Sequence, residues 1–223
     1  MTADYAAQRQ SMVERHLRQR GISDERVLRA MAEVPREHFV PERYRRRAYA
    51  DSALPIGRGQ TISQPWVVAA ICEALELTGD ERVLEVGTGT GYSACVLSRL
   101  AREVLTIERI PELAAIARQV LGELGVENVE VIVGDGSVGL PDRAPFDAIA
   151  VHATAPAPPT ALLGQLPVGG RLVVPIATDR ADMLTRFERV AEEADPHSLA
   201  GFQRQDIAPC RFVPLIGDEG FPE

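Results

Sequence analysis

The residues spaced to do chemistry begin with an acid ahead of a ladder of glycines, Arg82-Val83-Leu84-Glu85-Val86-Gly87-Thr88-Gly89-Thr90-Gly91-Tyr92. A short β-branched apolar run feeds the glycines, and an apolar helical pattern (Ala94, Val96, Leu97, Leu100) follows at once, so the stretch predicts strand, tight turn and helix. Glycines let the backbone bend and let a ligand stand where a Cβ would otherwise be. A second acid, Glu108, closes a strand pattern over 103–108, about twenty residues after the first glycine, where a ribose hydroxyl pair would be gripped. A third, Asp135, sits between Gly134 and Gly136 after a strand predicted over 128–133. The polar loop Leu54-Pro55-Ile56-Gly57-Arg58-Gly59-Gln60-Thr61-Ile62-Ser63-Gln64-Pro65-Trp66 precedes a helix predicted over 67–77, and its N–H groups are available to bind a carboxylate. Each feature also has a plainer reading. Glu108 would then be a solvated strand end, Asp135 a turn residue, and the loop a helix cap with Ser63 as N-cap and Trp66 in the core.

Spacing sharpens the first motif. A dinucleotide site wants G-x-G-x-x-G, whereas here the third glycine comes one residue early and an acid precedes the first. Acid-x-Gly-x-Gly-x-Gly resembles the S-adenosylmethionine loop of the class I methyltransferases, whose ligand lacks a phosphate and carries a zwitterionic methionine end. An acid after the third strand of that fold sits beside the adenine ring.

The elements that must position these residues are legible in order. Residues 5–19 have helical spacing and stop at Gly21, and Ser23-Asp24-Glu25 opens a second helix that ends before Pro35. Val34-Pro35-Arg36-Glu37-His38-Phe39-Val40-Pro41 reads as an extended connector. With no strand expected before Arg82, residues 1–80 form a helical cap and substrate loop, and 81–223 an α/β core, within one domain. After the second strand Pro111 opens a helix that closes at Gly125. A fourth strand over 145–152 exits through a proline-rich loop that faces the ligand crevice of a doubly wound sheet. A helix over 160–166 leads to strands over 171–175, 183–190 and 207–213, with 191–201 as a surface loop. Strands alternating with helices predict a mostly parallel, Rossmann-like α/β/α sandwich.

Composition limits the function classes. The net charge of −8 argues against a nucleic-acid-wrapping surface, and the local cluster Arg43-Tyr44-Arg45-Arg46-Arg47 reads as a solvated helix face. All 24 basic residues counted are arginine, so lysine nucleophiles and Schiff bases are excluded. Cys72, Cys95 and Cys210 form no close pair and read as thiols in a reducing compartment. The N-terminus lacks a basic-then-apolar signal and no apolar run approaches membrane-span length, so a cytoplasmic protein without a membrane partner is expected. His16, His38, His152 and His197 lack ligand spacing, and no metal is expected.

The resemblance becomes specific when the motifs are taken together. Val34-Pro35-Arg36-Glu37, Ala53-Leu54-Pro55-Ile56-Gly57, Gly59-Gln60-Thr61-Ile62-Ser63-Gln64-Pro65, the glycine ladder, Ile107-Glu108-Arg109, Gly134-Asp135-Gly136, Ala144-Pro145-Phe146-Asp147-Ala148-Ile149 and Arg211-Phe212-Val213-Pro214-Leu215 resemble the protein-L-isoaspartate O-methyltransferases in order and spacing. The resemblance covers nearly the whole chain. It implies methyl transfer from S-adenosylmethionine, leaving S-adenosylhomocysteine, to the free carboxylate of L-isoaspartyl residues in damaged proteins and peptides. The ester then collapses to a succinimide, which partly hydrolyses back to aspartate. It implies Ser63 as the active-site hydroxyl, and Gln60, Thr61, Ile62, Ser63, Val213 and Leu215 as the substrate grip. Glu85, Gly87, Thr88, Gly89, Gly91, Glu108, Arg109, Asp135 and Gly136 would line the cofactor. A monomer is expected.

One position departs from that pattern: His152 stands at the end of the fourth strand where a small or hydroxyl residue is expected. It reads either as a base or substrate contact, or as a hydrogen-bonded imidazole at a strand terminus. Two rivals remain. Relatives that methylate ordinary aspartate in ribosomally made peptides tend to carry added C-terminal sequence, and this chain stops soon after Leu215. A silent cofactor-fold binding module would have lost Glu85, Glu108 or the glycines. A small-molecule methyltransferase suits the Thr-Ile-Ser and Arg-Phe-Val-Pro-Leu segments less well than a peptide enzyme does.

Overall fold

The computed structural model describes residues 4–192 and 198–222. Its frame is a seven-stranded sheet in the order β5-β4-β3-β6-β7-β8-β9. The strands are β3 (Arg82–Val86), β4 (Glu103–Glu108), β5 (Val129–Val133), β6 (Ala148–Val151), β7 (Arg171–Ile176), β8 (Asp182–Arg189) and β9 (Phe202–Cys210). β5, β4, β3, β6 and β7 run parallel, while β8 is antiparallel to both of its neighbours. The chain builds outward from β3 to β5, then returns to the other side of β3 to lay down β6. The order therefore reverses between β3 and β6, and a crevice opens beyond their carboxyl ends.

Alternation along the strands makes two cores. Val83, Val104, Ala148, Ala150 and Val173 face one side, together with α2 (Glu25–Glu33), α3 (Pro65–Ala74), α4 (Tyr92–Leu97) and α5 (Pro111–Glu123). Leu84, Val86, Leu105, Ile107, Ile149, Val151, Leu172 and Val174 face the other, where α6 (Thr160–Leu163) packs. Side chains at successive strand positions point to opposite faces, so strands buried on both sides read as continuous apolar runs. The N-terminal segment, including α1 (Tyr5–Met12), shares the first of these cores through Met12, Leu17 and Leu28.

Local signals act as expected at several ends. The Asp24 side chain accepts from the N–H groups of Arg26 and Val27 and caps α2. Pro65 opens α3, but its N-cap is Gln64 with no side-chain bond, so Ser63 does not cap this helix.

The expectation of no strand before Arg82 is overturned. β1 (Leu54–Gly57) and β2 (Gln60–Ile62) pair antiparallel, Leu54 with Ile62 and Pro55 with Thr61. Arg58 at φ 52° and Gly59 at φ 72° make the turn, the left-handed pair that matches hairpin twist. The connector over 34–41 also tightens into a single 3-10 segment, Arg36–Phe39. Strand and helix ends elsewhere shift by a few residues, most at β9, which starts at Phe202 and ends at Cys210. Part of the loop expected over 191–201, including His197, lies outside the described residues.

Candidate active site

The crevice between β3 and β6 is a cleft with about 940 Å³ of space between its walls, the open mouth included. Its walls include the hairpin and Ser63, the glycine bend after β3, the ends of β4 and β6, and the strap 213–216.

The glycine bend is positioned by the ends of two strands. Gly87 N–H donates to Ile107 O at 2.9 Å, and Gly87, Gly89 and Gly91 take φ of 94°, 54° and 95°. Gly87, Thr88 and Gly89 line the cleft, whereas Gly91 does not. A Cβ on Gly91 would stand 3.3 Å from Ala117 Cβ, so this glycine lets α5 approach the bend. Gly136 lines the cleft and backs onto Val86, whose Cγ1 would lie 2.5 Å from an added Cβ.

Glu108 ends β4 in the cleft wall. Its Oε2 accepts from Gly89 N–H at 2.8 Å and its Oε1 from Ile110 N–H at 3.0 Å. Burial pushes its carboxyl above the ordinary range, against the pull of those two N–H donors. Arg109 lines the cleft beside it. Asp135 does not. It borders an adjoining recess shared with Arg109 and residues 216–218. Burial alone would raise Asp135, yet donors from Asp218 N–H and from the Ser137 hydroxyl and N–H, with the charge of Arg109, hold it below the usual range.

Glu85 is fully buried and sits behind the cleft wall. Its Oε2 accepts from Thr106 Oγ1 at 2.6 Å, while its Oε1 has no hydrogen-bond partner among the described residues. In front of it stands His152, whose Nε2 lies 2.7 Å from Ser93 Oγ and 3.4 Å from Glu85 Oε1. His152 is both hydrogen-bonded at the strand terminus and part of the cleft lining.

On the acceptor side Gln60, Thr61, Ile62 and Ser63 line the cleft. Among the described residues the hairpin is a sheet of β1 and β2 alone, so the outer edge of β2 has no described strand against it. The Ser63 hydroxyl makes no hydrogen bond to a described residue, while its carbonyl accepts from Arg36 Nη2 at 2.6 Å. Opposite, Val213 and Leu215 line the cleft, held by Thr154 N–H to Val213 O and Leu215 N–H to Thr154 O, each 2.8 Å. Leu215 O also accepts from Phe221 N–H, so Leu215 meets the cleft through its side chain, whereas Val213 keeps a free N–H among the described residues.

Arg36 is the residue the sequence reasoning left without a role. It is fully buried, donates from Nε to Ala48 O at 2.8 Å, and lies 4.6 Å over the Tyr92 ring. A cation between prolines and apolar residues in the 34–41 connector was the available signal. Ser93, which meets His152, carried none.

The residues fit S-adenosylmethionine. The Glu108 carboxylate stands at the cleft wall with acceptor capacity beyond its two backbone donors, side-chain-free backbone lines the bend, and an unsatisfied carboxylate oxygen lies close behind it. Among the described residues no group of three or more His, Cys, Asp or Glu could hold a metal, and no helix is long and apolar enough to cross a membrane.

Comparison with known proteins agrees with this geometry. The family model of protein-L-isoaspartate(D-aspartate) O-methyltransferase matches residues 7–220. The protein-L-isoaspartate O-methyltransferase 1 of Rhodopseudomonas palustris is 53% identical over 97% of this chain and 86% of its own. The protein-L-isoaspartate O-methyltransferase of Roseiflexus castenholzii is 48% identical over 99% of each. A solved protein-L-isoaspartate O-methyltransferase superposes with a TM-score of 0.80 at 32% identity, covering 95% of this chain and 67% of that one. A Plasmodium falciparum protein solved with S-adenosyl-L-homocysteine shares the fold, with a TM-score of 0.77 at 24% identity over 93% of this chain and 98% of that one. On both sequence and structure, the chain belongs to the protein-L-isoaspartate(D-aspartate) O-methyltransferase family.

Proposed function

We infer that this protein uses S-adenosylmethionine to methylate the free carboxylate of L-isoaspartyl residues in proteins and peptides, the step that opens repair through a succinimide. One observation carries the reading: the glycine bend, an open-edged strand and the uncommitted serine hydroxyl that directly follows that strand line the same cleft.

When bound, S-adenosylmethionine supplies a methyl group on a sulfonium, an electrophile with its own leaving group. The chain's residues have to hold and orient. Gly87, Thr88, Gly89 and Gly136 form the floor against which the cofactor lies, Glu108 takes the ribose hydroxyls, and Arg109 and Asp135 border the adenine side. Glu85 and Gly91 act from behind, one as a buried carboxyl and the other by admitting α5. The outer edge of β2 can pair with an extended peptide, since a strand edge offers unpaired N–H and C=O groups. Val213 N–H and the Leu215 side chain close on it from the other wall. The acceptor carboxylate is ionised at neutral pH, so no base is needed and alignment supplies the rate. Ser63 donates one hydrogen bond that orients the carboxylate without draining it.

The shared core of the N-terminal segment and the sheet supports one domain, with 1–80 as cap and substrate loop and 81–223 as cofactor-binding core. The three unpaired cysteines and the net charge of −8 support a cytoplasmic monomer that binds neither nucleic acid nor membrane.

The test is methyl incorporation into matched isoaspartyl and aspartyl peptides. Incorporation into the isoaspartyl form is expected, and activity confined to the aspartyl form would assign the chain to peptide tailoring instead.

A further inference from the structure

Glu85 carries the acid of the glycine motif, yet it does not reach the cleft. It is fully buried at the end of β3, and its Oε1 has no hydrogen bond among the described residues. The cleft-lining residue beside that oxygen is His152, with Nε2 at 3.4 Å. The two are brought together by register: Val86 of β3 pairs with Val151 of β6, and His152 N–H donates to Val86 O at 2.8 Å. A Cβ on Gly87 would lie 3.4 Å from His152 Cβ, so the imidazole is rooted against the first glycine of the bend. Its side chain is 6% exposed and lines the cleft, bounded on the strap side by the Phe212 ring at 6.4 Å between centroids.

The contacts of Nε2 determine what the other nitrogen can do. A carboxylate oxygen at 3.4 Å and the Ser93 hydroxyl at 2.7 Å both cluster at Nε2. Both neighbours of Nε2 are oxygens that can accept, so a proton on Nε2 suits them, with Ser93 Oγ accepting it, and in that tautomer the lone pair lies on Nδ1. Nδ1 has no hydrogen bond to any described residue. An imidazole backed by a carboxylate is held in one tautomer and one orientation, the arrangement used to fix histidines at metal and catalytic sites.

We propose that His152 Nδ1 receives the ammonium of the amino-acid end of the bound cofactor, and that Glu85 is a positioning residue acting through His152 rather than a contact. The inference rests on the cofactor reading of the glycine bend. It makes this chain's departure at His152 the link between the buried Glu85 carboxyl and the cleft surface.

Calorimetry with S-adenosylhomocysteine tests it without any turnover. Glu85→Gln keeps the shape and the Thr106 bond, and His152→Leu keeps most of the volume but removes the acceptor. Each single variant should bind about tenfold more weakly, the scale of one hydrogen bond to a charged group. The double variant should bind no more weakly than His152→Leu alone. Equal losses from Glu85→Gln in both backgrounds, or unchanged affinity in His152→Leu, would overturn the proposal. A readout free of mutational damage is the ¹⁵N spectrum of the His152 ring. The wild type should show a single Nε2–H tautomer whose Nδ1 resonance moves when S-adenosylhomocysteine is added, and Glu85→Gln should give a mixture of tautomers. An Nδ1 resonance that stays put while calorimetry records binding also overturns it. Absence of any binding to the wild type would instead defeat the cofactor reading on which it rests.

Discussion

Arg36 Nη2 donates to the carbonyl of Ser63 at 2.6 Å, from a guanidinium that no solvent reaches. The same group holds Ala48 O and covers Tyr92, the first residue of the helix that follows the glycine bend. A single buried cation thus ties the acceptor loop, the cap and the cofactor helix together. Burial pulls Arg36 below its usual range, and its Nη1 has no hydrogen-bond partner among the described residues, so the residue is held at a cost to stability.

Arg36→Lys should therefore act on the acceptor more than on the cofactor. A lysine ammonium is a point donor and cannot span two carbonyls as a planar fork does. Leaving the Ser63 carbonyl unsatisfied should cost about 1 to 3 kcal/mol of stability. Steady-state kinetics should show a raised peptide KM and lowered kcat, with the Kd for S-adenosylhomocysteine unchanged. Parallel weakening of both ligands would reduce Arg36 to a general structural role.

Ser63→Ala should lower kcat by roughly 10- to 100-fold, the scale of one hydrogen bond to a charged group. Because its hydroxyl bonds to no described residue, the fold should be indifferent to the change. Calorimetry should return the wild-type cofactor affinity, and wild-type turnover would remove Ser63 from the mechanism.

Gly91→Ala should destabilise the protein by about 1 to 3 kcal/mol, since a side chain at positive φ is strained and this one would also press on α5. The backbone there has φ 95° and the new Cβ would meet Ala117 Cβ at 3.3 Å. Urea denaturation should show a lower midpoint with an unchanged slope. An unchanged midpoint would mean that α5 gives way freely.

Cofactor affinity should depend on pH through Glu108. Its carboxyl titrates above the ordinary value near about 4.3, chiefly because it is buried. The folded protein without ligand holds that proton more tightly than the unfolded chain does. This contribution to stability is present below the unfolded value and lost as pH rises through the folded one. Ribose hydroxyls favour the ionised form, so affinity for S-adenosylhomocysteine should fall as pH is lowered through the raised value. Glu108→Gln should flatten that step, and calorimetry across the range reads both. A step of the same size in Glu108→Gln would place the titrating group elsewhere.

What could be read before the fold was known follows periodicity. The sheet strands and the glycine bend announced themselves because buried parallel strands are continuous apolar runs and only glycine tolerates the bend. β1 and β2 were missed because strands of four and three residues, with Pro55 in one and a turn made by Arg58 and Gly59, give too few alternations to stand out. That omission mattered, since the hairpin supplies the open edge beside Ser63. The placement of Glu85 behind His152 was also beyond reach. It depends on the register of β3 against β6, and register is a long-range fact that neither strand's own sequence contains. Arg36 was visible within Val34-Pro35-Arg36-Glu37, but its link to Ser63 closes only when the connector folds over the cap.

A crystal structure with S-adenosylhomocysteine and an isoaspartyl peptide bound together tests the alignment most directly. The account predicts the cofactor's amino-acid end beside Gly87 and Gly89, the peptide along the outer edge of β2, and the isoaspartyl carboxylate beside the Ser63 hydroxyl with one oxygen facing the sulfur. A peptide seated away from β2, or a carboxylate turned from the sulfur by a positive side chain, would contradict it.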